Sequence, residues 1–156
     1  MKKVVITGIG MLSSLGVGVD EIWPKIKEGT SGVNFLKKVD ASDLKTKFGA
    51  EVSEEFNPED FMDAKEARRS DPFIRFAVAA ASLALKDSKL EITDENSHLV
   101  GSYIGSGIGG IQTFVDNTLV YNDKGPKRVS PFFVPSMVPN MAAGYVSIFN
   151  NLKGTN

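Results

Sequence analysis

The sequence of 156 residues contains no cysteine. This absence excludes a disulfide framework, a zinc–thiolate site and a cysteine nucleophile within the chain. No run of about 18 apolar residues is present, so we expect no membrane-spanning helix and no membrane partner. The apolar run that follows Met1 is too short for the core of a signal peptide. The default expectation is therefore a cytoplasmic location.

An excess of either charge is also lacking, since 18 basic residues face 19 acidic ones. No global field draws the chain toward nucleic acid or an anionic membrane, so a charged partner has to use a local patch. The single histidine, His98, has no acid or nucleophile recognisably placed to work with it, and we expect no catalytic role there. No metal site and no cofactor are predicted.

Apolar patterning predicts an α/β chain of one domain. Two apolar stretches read as strands, 4–7 and 99–104, and the first, which is β-branched throughout, is expected to be buried on both faces. A short strand or hairpin is predicted over 47–52. Helices are predicted over 19–28, 58–69, 72–88, 111–122 and 140–149. The helix over 19–28 contains Pro24, which is tolerable only in a first turn.

The opening stretch VVITGIGMLSSLG raises the possibility of a nucleotide cradle. Gly8 and Gly10 fit a dinucleotide fingerprint, but Ser13 stands at the third glycine position. Asp20 lies too close and Asp40 too far to serve as the acidic partner. The alternative is a tight turn after a buried strand, which uses the tolerance of glycine for positive φ. A nucleotide-dependent oxidoreductase is kept as the weaker alternative.

A second glycine stretch, GSGIGG over 105–110, lacks the lysine of a phosphate-binding loop. It predicts a strand-to-helix turn in which Ile108 is the one bulky side chain. Such a group can protrude into a cavity and limit its depth.

Two basic clusters are candidate docking sites. The first occupies one helix face at spacing i, i+3, i+4 and consists of Lys65, Arg68 and Arg69. The second consists of Lys124, Lys127 and Arg128. Each is either a solvated face or a site for an acidic or phosphorylated partner. A proline-stiffened stretch over 124–139 carries apolar residues that suit either a core or an oligomer surface.

Four stretches together resemble the amino-terminal part of the β-ketoacyl-[acyl-carrier-protein] synthase II family, the elongating condensing enzymes of bacterial fatty-acid synthesis. They are VVITGIGMLSSLG, DAKEARRSDPFIRFAVAAASLAL, VGSYIGSGIGG and GPKRVSPFFVPSMVPNMAAGYVSI. They occur in order from one end of the chain to the other. At Ser13, Ser14 and Pro139 the sequence departs from the pattern of that family.

The resemblance implies a thiolase-like fold, a five-layered α/β/α/β/α arrangement of two similar halves. Residues 1–156 correspond to most of the first half, an incomplete domain that ends before the nucleophile elbow. The catalytic cysteine, two histidines and a lysine of the family are expected beyond Asn156. We therefore expect no catalytic residue in this chain and no condensing activity from it alone.

The resemblance also implies roles for individual residues. Ile108 matches a residue that lines the acyl pocket and limits chain length, and Phe133 matches a pocket residue donated across a homodimer interface around 130–141. Carrier-protein docking is implied for the basic side chains of Lys65, Arg68, Arg69, Lys127 and Arg128. The implied partners are acyl carrier protein, a second copy of the chain, and acyl and malonyl thioesters. A non-catalytic carrier-binding or dimerisation module remains the second alternative.

Overall fold

The computed structural model describes residues 3–156, so Met1 and Lys2, where the signal-peptide argument begins, lie outside the described residues. The helices are α1 Val19–Lys27, α2 Ala64–Arg69, α3 Pro72–Ser88, α4 Ile111–Lys124, α5 Phe133–Met137 and α6 Met141–Phe149. The strands are β1 Leu12–Ser13, β2 Gly16–Val17, β3 Asn34–Phe35 and β4 Phe48–Gly49. Single turns of 3₁₀ helix occupy Pro58–Asp60, Ser97–Leu99 and Pro126–Arg128.

Helix α3 organises the core. Its N-cap is Asp71, whose side chain accepts from the Phe73 N–H, and Pro72 follows at the first helical position. Ile74 and Val78 are fully buried where α3 packs along α6. Burial of each such side chain contributes about 1.5–3 kcal/mol. The core comprises Met62, Ala67, Ile74, Val78, Tyr145, Val146 and Leu152.

The predicted strands over 4–7 and 99–104 are absent as strands, which corrects the sequence interpretation. Val4 is 97% exposed and Tyr103 is 96% exposed. Residues 4–7 and 100–104 run outside any sheet, and Leu99 ends a 3₁₀ turn; among the described residues the only sheets are the antiparallel hairpins β1–β2 and β3–β4. The second segment is held in part, because the Ser102 N–H donates to the Thr155 carbonyl and the Gly154 N–H donates to the Val100 carbonyl, both at 3.0 Å.

Close packing against α3, and not an unusual backbone conformation, requires the glycines of the first segment. Neither Gly8 nor Gly10 has a positive φ, which corrects the expectation of a turn built on that freedom. A Cβ at Gly10 would overlap the carbonyl oxygen of Ala80, and one at Gly8 would overlap that of Ala84. The segment therefore lies directly against the backbone of α3, where only glycine leaves room.

A groove lined by α3 separates the two extended segments. It contains two open cavities of about 450 and 290 Å³. Small side chains of α3, including Ala77, Ala80, Ala81 and Ala84, line it between the segments that contain Gly10 and Ile104. The two segments thus lie on the same helix without contacting each other as neighbouring strands.

One helix prediction needs correction and four are confirmed, including the helix over 19–28, which is present as α1. The stretch 58–69 is not one helix, because Asp63 accepts from the Lys65 and Glu66 N–H groups and starts α2 anew. Pro24 lies in the second turn of α1 rather than its first, and the helix continues through it. The helices predicted over 72–88, 111–122 and 140–149 are present as α3, α4 and α6. The hairpin predicted near 47–52 is reduced to the pairing of β4 with β3.

Across residues 3–156, no helix is both long enough and apolar enough to cross a membrane.

Candidate acyl cavity and docking surface

The loop that joins the second extended segment to α4 presents Ile108. As the sequence predicts, a glycine turn precedes the helix, and the Ile108 side chain protrudes with 69% of its surface exposed. It lines an open, mostly apolar cavity of about 240 Å³. The other lining residues belong to α4 and to the α5–α6 region: Gly110, Ile111, Phe114, Met137, Val138 and Pro139.

Two glycines let this loop approach α5. Gly109 has φ +78°, and a Cβ there would crowd the carbonyl oxygen of Met137 at 2.5 Å. A Cβ at Gly110 would overlap the carbonyl oxygen of Ser136. The Gly110 N–H donates to the Met137 carbonyl at 2.8 Å, which fixes the loop on the end of α5. One wall of the cavity is therefore formed by the loop and the start of α4, and the other by the segment that follows α5.

Phe133 does not line the Ile108 cavity directly. It begins α5, and its ring centroid lies 6.2 Å from that of Phe114, which does line the cavity. The structure thus connects the two predicted pocket residues through Phe114. The pocket roles of Ile108 and Phe133 stay predictions.

Two buried hydrogen bonds, which we call the polar joint, connect the helices that line the cavity. The Asp71 side chain caps α3 and also accepts from the Thr113 N–H of α4 at 2.8 Å. The Ser136 hydroxyl donates to the Arg69 carbonyl at 2.6 Å. Asp71 is 3% exposed and Ser136 is 1% exposed, so water does not compete for either contact. The joint fixes α3, α4 and α5 relative to one another.

Arg75 completes this joint from α3. Its Nε donates to the Ser70 carbonyl at 2.9 Å. Burial lowers the pKa of Arg75, and the nearby Asp71 carboxylate opposes that shift. The guanidinium therefore donates a hydrogen bond to the Ser70 carbonyl, at the C-terminal end of α2.

The predicted docking residues divide by their surroundings. Lys65, Arg68, Lys127 and Arg128 are exposed, and none of them forms an ion pair within the part of the chain that the structure describes. Arg69 is different, because its guanidinium lies 4.3 Å from the ring centroid of Phe132 and 3.7 Å from a Glu66 carboxylate oxygen. Carrier docking by these residues stays a prediction.

A polar recess of about 290 Å³ lies between the two hairpins and was not anticipated from the sequence. Several of its charged groups are engaged: Glu51 accepts from the Lys37 and Lys38 N–H groups, which lowers the pKa of its carboxyl, and Lys37 pairs with Glu54 at 3.2 Å. These contacts hold the β3–β4 hairpin in place. Among residues 3–156, no cluster of three or more potential metal ligands occurs.

The geometry gives no support to a nucleotide at the opening glycines. The helix that follows them begins only at Val19, after the β1–β2 hairpin, so no helix N-terminus faces Gly8 or Gly10. The space that a pyrophosphate would need beside these glycines is taken by the backbone of α3. His98 is exposed on its 3₁₀ turn, and Ser13 belongs to a hairpin strand where its hydroxyl accepts from the Leu15 N–H.

The sequence interpretation missed the buried joint. Asp71 was recognised only as the start of α3, and nothing in the pattern marked Ser136 as a partner of a residue 67 positions away. The available signal was the Asp71-Pro72 pair, which predicts a cap but cannot identify a second helix that uses the same carboxylate.

Solved ketosynthases have the fold of this chain. A β-ketoacyl synthase from Burkholderia phymatum STM815 matches 99% of the chain and 38% of its own length, with a TM-score of 0.77 and 28% sequence identity. A type II polyketide ketosynthase, solved in complex with its acyl carrier protein, matches 100% of the chain and 41% of its own length, with a TM-score of 0.79 and 23% identity. The fold is therefore the thiolase-like fold, represented here by its amino-terminal half.

Sequence comparison identifies the family. All of residues 1–156 match the family described as β-ketoacyl synthase, N-terminal domain, and the chain belongs to that family. It is 44% identical over 155 residues to the 3-oxoacyl-[acyl-carrier-protein] synthase 2 of Staphylococcus aureus (strain N315) and 41% identical to that of Synechocystis sp.. These matches cover 99% of this chain but only 37% of the length of each relative.

Proposed function

We propose that the protein to which this chain belongs elongates fatty acyl chains by decarboxylating Claisen condensation. A thiolate outside this sequence attacks an acyl thioester and releases the carrier thiol. Malonyl-carrier then loses carbon dioxide, and the carbon of the resulting enolate attacks the acyl-enzyme carbonyl. A carbon–carbon bond forms and the thiolate leaves. Residues 1–156 contribute the cavity wall, dimer contacts and docking charges.

The exposed Ile108 at an apolar cavity is the observation that carries this proposal. A large apolar side chain held out by a glycine loop loses burial energy unless something apolar covers it. The cavity is bounded by Met137 and Phe114, so an alkyl chain meets apolar atoms on several sides. Ile108 then sets the depth available to the acyl chain.

Carrier docking on α2 is supported by the charge of its outer face. Lys65 and Arg68 are exposed and Arg69 lies beside them, and the next basic pair, Lys127 and Arg128, precedes the Phe132 segment by a few residues. Acidic partners are recognised by such clusters. A ketosynthase of the same fold has been solved in complex with its acyl carrier protein, which supports a carrier protein as the kind of partner.

A homodimer is supported by the apolar surface of α4. Four of its side chains, Ile111, Phe114, Val115 and Leu119, are between 44% and 62% exposed. They follow an i, i+3, i+4, i+8 pattern, so they share one face of the helix. We propose that a second copy covers this face together with segment 130–141 and brings Phe133 to the partner's pocket.

The groove on α3 supports an incomplete domain. Val4, Val5 and Ile6 are 71–97% exposed and their extended backbone has no sheet partner. Extended apolar segments with unpaired N–H and C=O groups pair readily with further strands. We propose that residues 1–156 are the amino-terminal part of a larger condensing-enzyme domain, whose remaining strands fill this groove. The cytoplasmic location stays a prediction.

Charge reversal on α2 tests carrier docking. Lys65→Glu with Arg68→Glu should weaken binding of acyl carrier protein by about tenfold or more, because attraction becomes repulsion. The matched control, Lys45→Glu with Lys47→Glu, makes the same change in net charge on another exposed stretch. Calorimetry at two salt concentrations measures both. Equal losses in the two double variants would contradict a docking site on α2.

A non-catalytic carrier-binding module is the second candidate, favoured by the absence of cysteine from these residues. Carrier binding without any elongation, by the longest natural protein that contains the chain, would establish it.

A further inference from the structure

Arg69 links the docking helix to the segment that walls the acyl cavity. Its guanidinium carbon lies 4.3 Å from the centroid of the Phe132 ring, and its carbonyl accepts from the Ser136 hydroxyl at 2.6 Å. One residue thus contacts both ends of a five-residue stretch, its side chain at the start and its backbone near the end. About one third of the Arg69 side chain remains exposed.

The stretch from Phe132 to Met137 transmits this contact to the cavity. Met137 lines the cavity and accepts from the Gly110 N–H, two residues after Ile108. Phe133 packs near Phe114, which lines the cavity from α4. A change in the position of Phe132 therefore alters the wall opposite Ile108.

We propose that Arg69 is a positioning residue that couples carrier docking to the acyl cavity. This inference rests on the proposed function and assigns Arg69 a role different from that of Lys65 and Arg68. Without carrier, the guanidinium lies on Phe132 and holds α5 against α2. An acidic carrier on α2 draws the guanidinium toward its carboxylates and loosens the wall while the acyl chain enters.

The physical basis is a competition for one guanidinium. A cation over an aromatic ring at a partly exposed site is held weakly, whereas a bidentate pair with a carboxylate is stronger and directional. The Glu66 oxygen at 3.7 Å is too distant for a hydrogen bond, so it does not satisfy the guanidinium. The Arg69 guanidinium can therefore form a stronger pair with a carboxylate of a partner that docks on α2.

Replacing Arg69 by lysine separates the stacking of the side chain on Phe132 from its positive charge. Lysine keeps the positive charge but lacks the flat guanidinium that stacks on a ring. Arg69→Lys therefore removes the clamp and retains the docking charge. Arg68→Gln is the matched control, since it removes an exposed docking charge that does not contact Phe132. Phe132→Leu removes the ring and keeps an apolar side chain.

Amide hydrogen exchange of the longest natural protein that contains the chain, with and without acyl carrier protein, tests the proposal. In the wild type, carrier should speed exchange over 130–137 and at Gly110. Arg69→Lys without carrier should already exchange there about three- to tenfold faster, with no further carrier effect and carrier affinity within about threefold. Arg68→Gln should weaken carrier binding and leave carrier-free exchange unchanged.

A double-mutant cycle separates coupling from independent structural damage. Phe132→Leu should reproduce Arg69→Lys, and the combined variant should exchange no faster than either single one. Additive effects, or unchanged exchange in Arg69→Lys, would overturn the positioning role. Failure of the wild-type protein to bind carrier would contradict the docking proposal instead, while the carrier-free cycle would still report on the contact of Arg69 with Phe132.

Discussion

Single polar side chains hold this structure together where water cannot replace them. Asp71 serves two helices with one carboxylate, and Ser136 bridges α5 to the carbonyl of Arg69. Both are almost fully buried. Removing one partner of a buried hydrogen bond leaves the other unsatisfied, which costs more than the bond contributes. Residues of this kind determine how the wall of the Ile108 cavity is placed.

Ser136→Ala should lower the free energy of unfolding by about 1–3 kcal/mol, because the Arg69 carbonyl loses its buried donor. Thr118→Val is the control. Its hydroxyl also donates to a backbone carbonyl, that of Phe114 at 2.7 Å, but on the exposed face of α4. It should change stability by no more than about 0.5 kcal/mol. Equal costs in urea unfolding would show that burial does not set the difference.

The Glu21 carboxylate gives the β1–β2 hairpin a pH dependence. It accepts from Lys25 Nζ at 2.6 Å and from the Val17 N–H at 2.8 Å. These contacts, the lysine first, hold its pKa below the usual value. A depressed pKa in the folded state means stability that is present above about pH 4.3 and is lost as the pH falls through the folded pKa.

Glu21→Gln should therefore be less stable than the wild type at pH 6, and the difference should shrink as the pH falls toward 3. Thermal unfolding of both proteins across this range measures the effect. A difference that stays constant from pH 6 to 3 would contradict the assignment.

At the scale of elements, close contact between backbones shapes the fold. The first extended segment lies against α3 through Gly8 and Gly10, and the GSGIGG loop lies against α5 through Gly109 and Gly110. In each place a side chain would overlap a backbone carbonyl, which cannot rotate away. The small side chains in the middle of α3 allow the first approach.

Gly10→Ala should lower stability by about 1–3 kcal/mol, because the added Cβ forces the segment off α3. Gly105→Ala is the matched control, since nothing lies within 4 Å of the Cβ it would add and its φ is not positive. It should shift stability by about 0.5 kcal/mol or less. Chemical denaturation compares them, and a harmless Gly10→Ala would contradict the close approach.

The sequence predicted the elements whose signals are local. The Asp71-Pro72 cap and the small apolar residues that follow predict α3, and α4 and α6 are found where expected. The extended segments over 4–7 and 99–104 were wrong as strands, because a strand exists only through its partners. The split at Asp63 was missed because an acidic residue within an acidic helical turn resembles solvent-facing helix until its carboxylate is seen to cap α2.

The candidate site was predictable in part. A bulky Ile108 among glycines predicts a protruding side chain, and the spacing of Lys65 and Arg68 predicts a shared helix face. The link between these places depends on contacts between residues far apart in sequence, such as Ser136 with Arg69. No local pattern specifies such pairs, so the joint and the position of Arg69 on Phe132 emerge only from the structure.

For the whole molecule, the chain belongs to the β-ketoacyl synthase family, yet its 156 residues contain no thiol. We expect the 156-residue chain by itself to show no condensation of acyl and malonyl thioesters, because acyl transfer needs a thiolate. An assay with acyl- and malonyl-carrier measures product formation directly. Measurable turnover by this chain would contradict the assignment of the chemistry to residues outside it.

A chimeric enzyme tests the central claim most directly. Residues 1–156 replace the matching residues of the Staphylococcus aureus relative, and condensation of malonyl-carrier with acyl chains of increasing length is measured. We predict an active enzyme whose longest product is shortened by Ile108→Phe, because the larger side chain fills the cavity. A folded chimera that binds carrier but forms no product, or one whose product lengths ignore Ile108→Phe, would contradict the account.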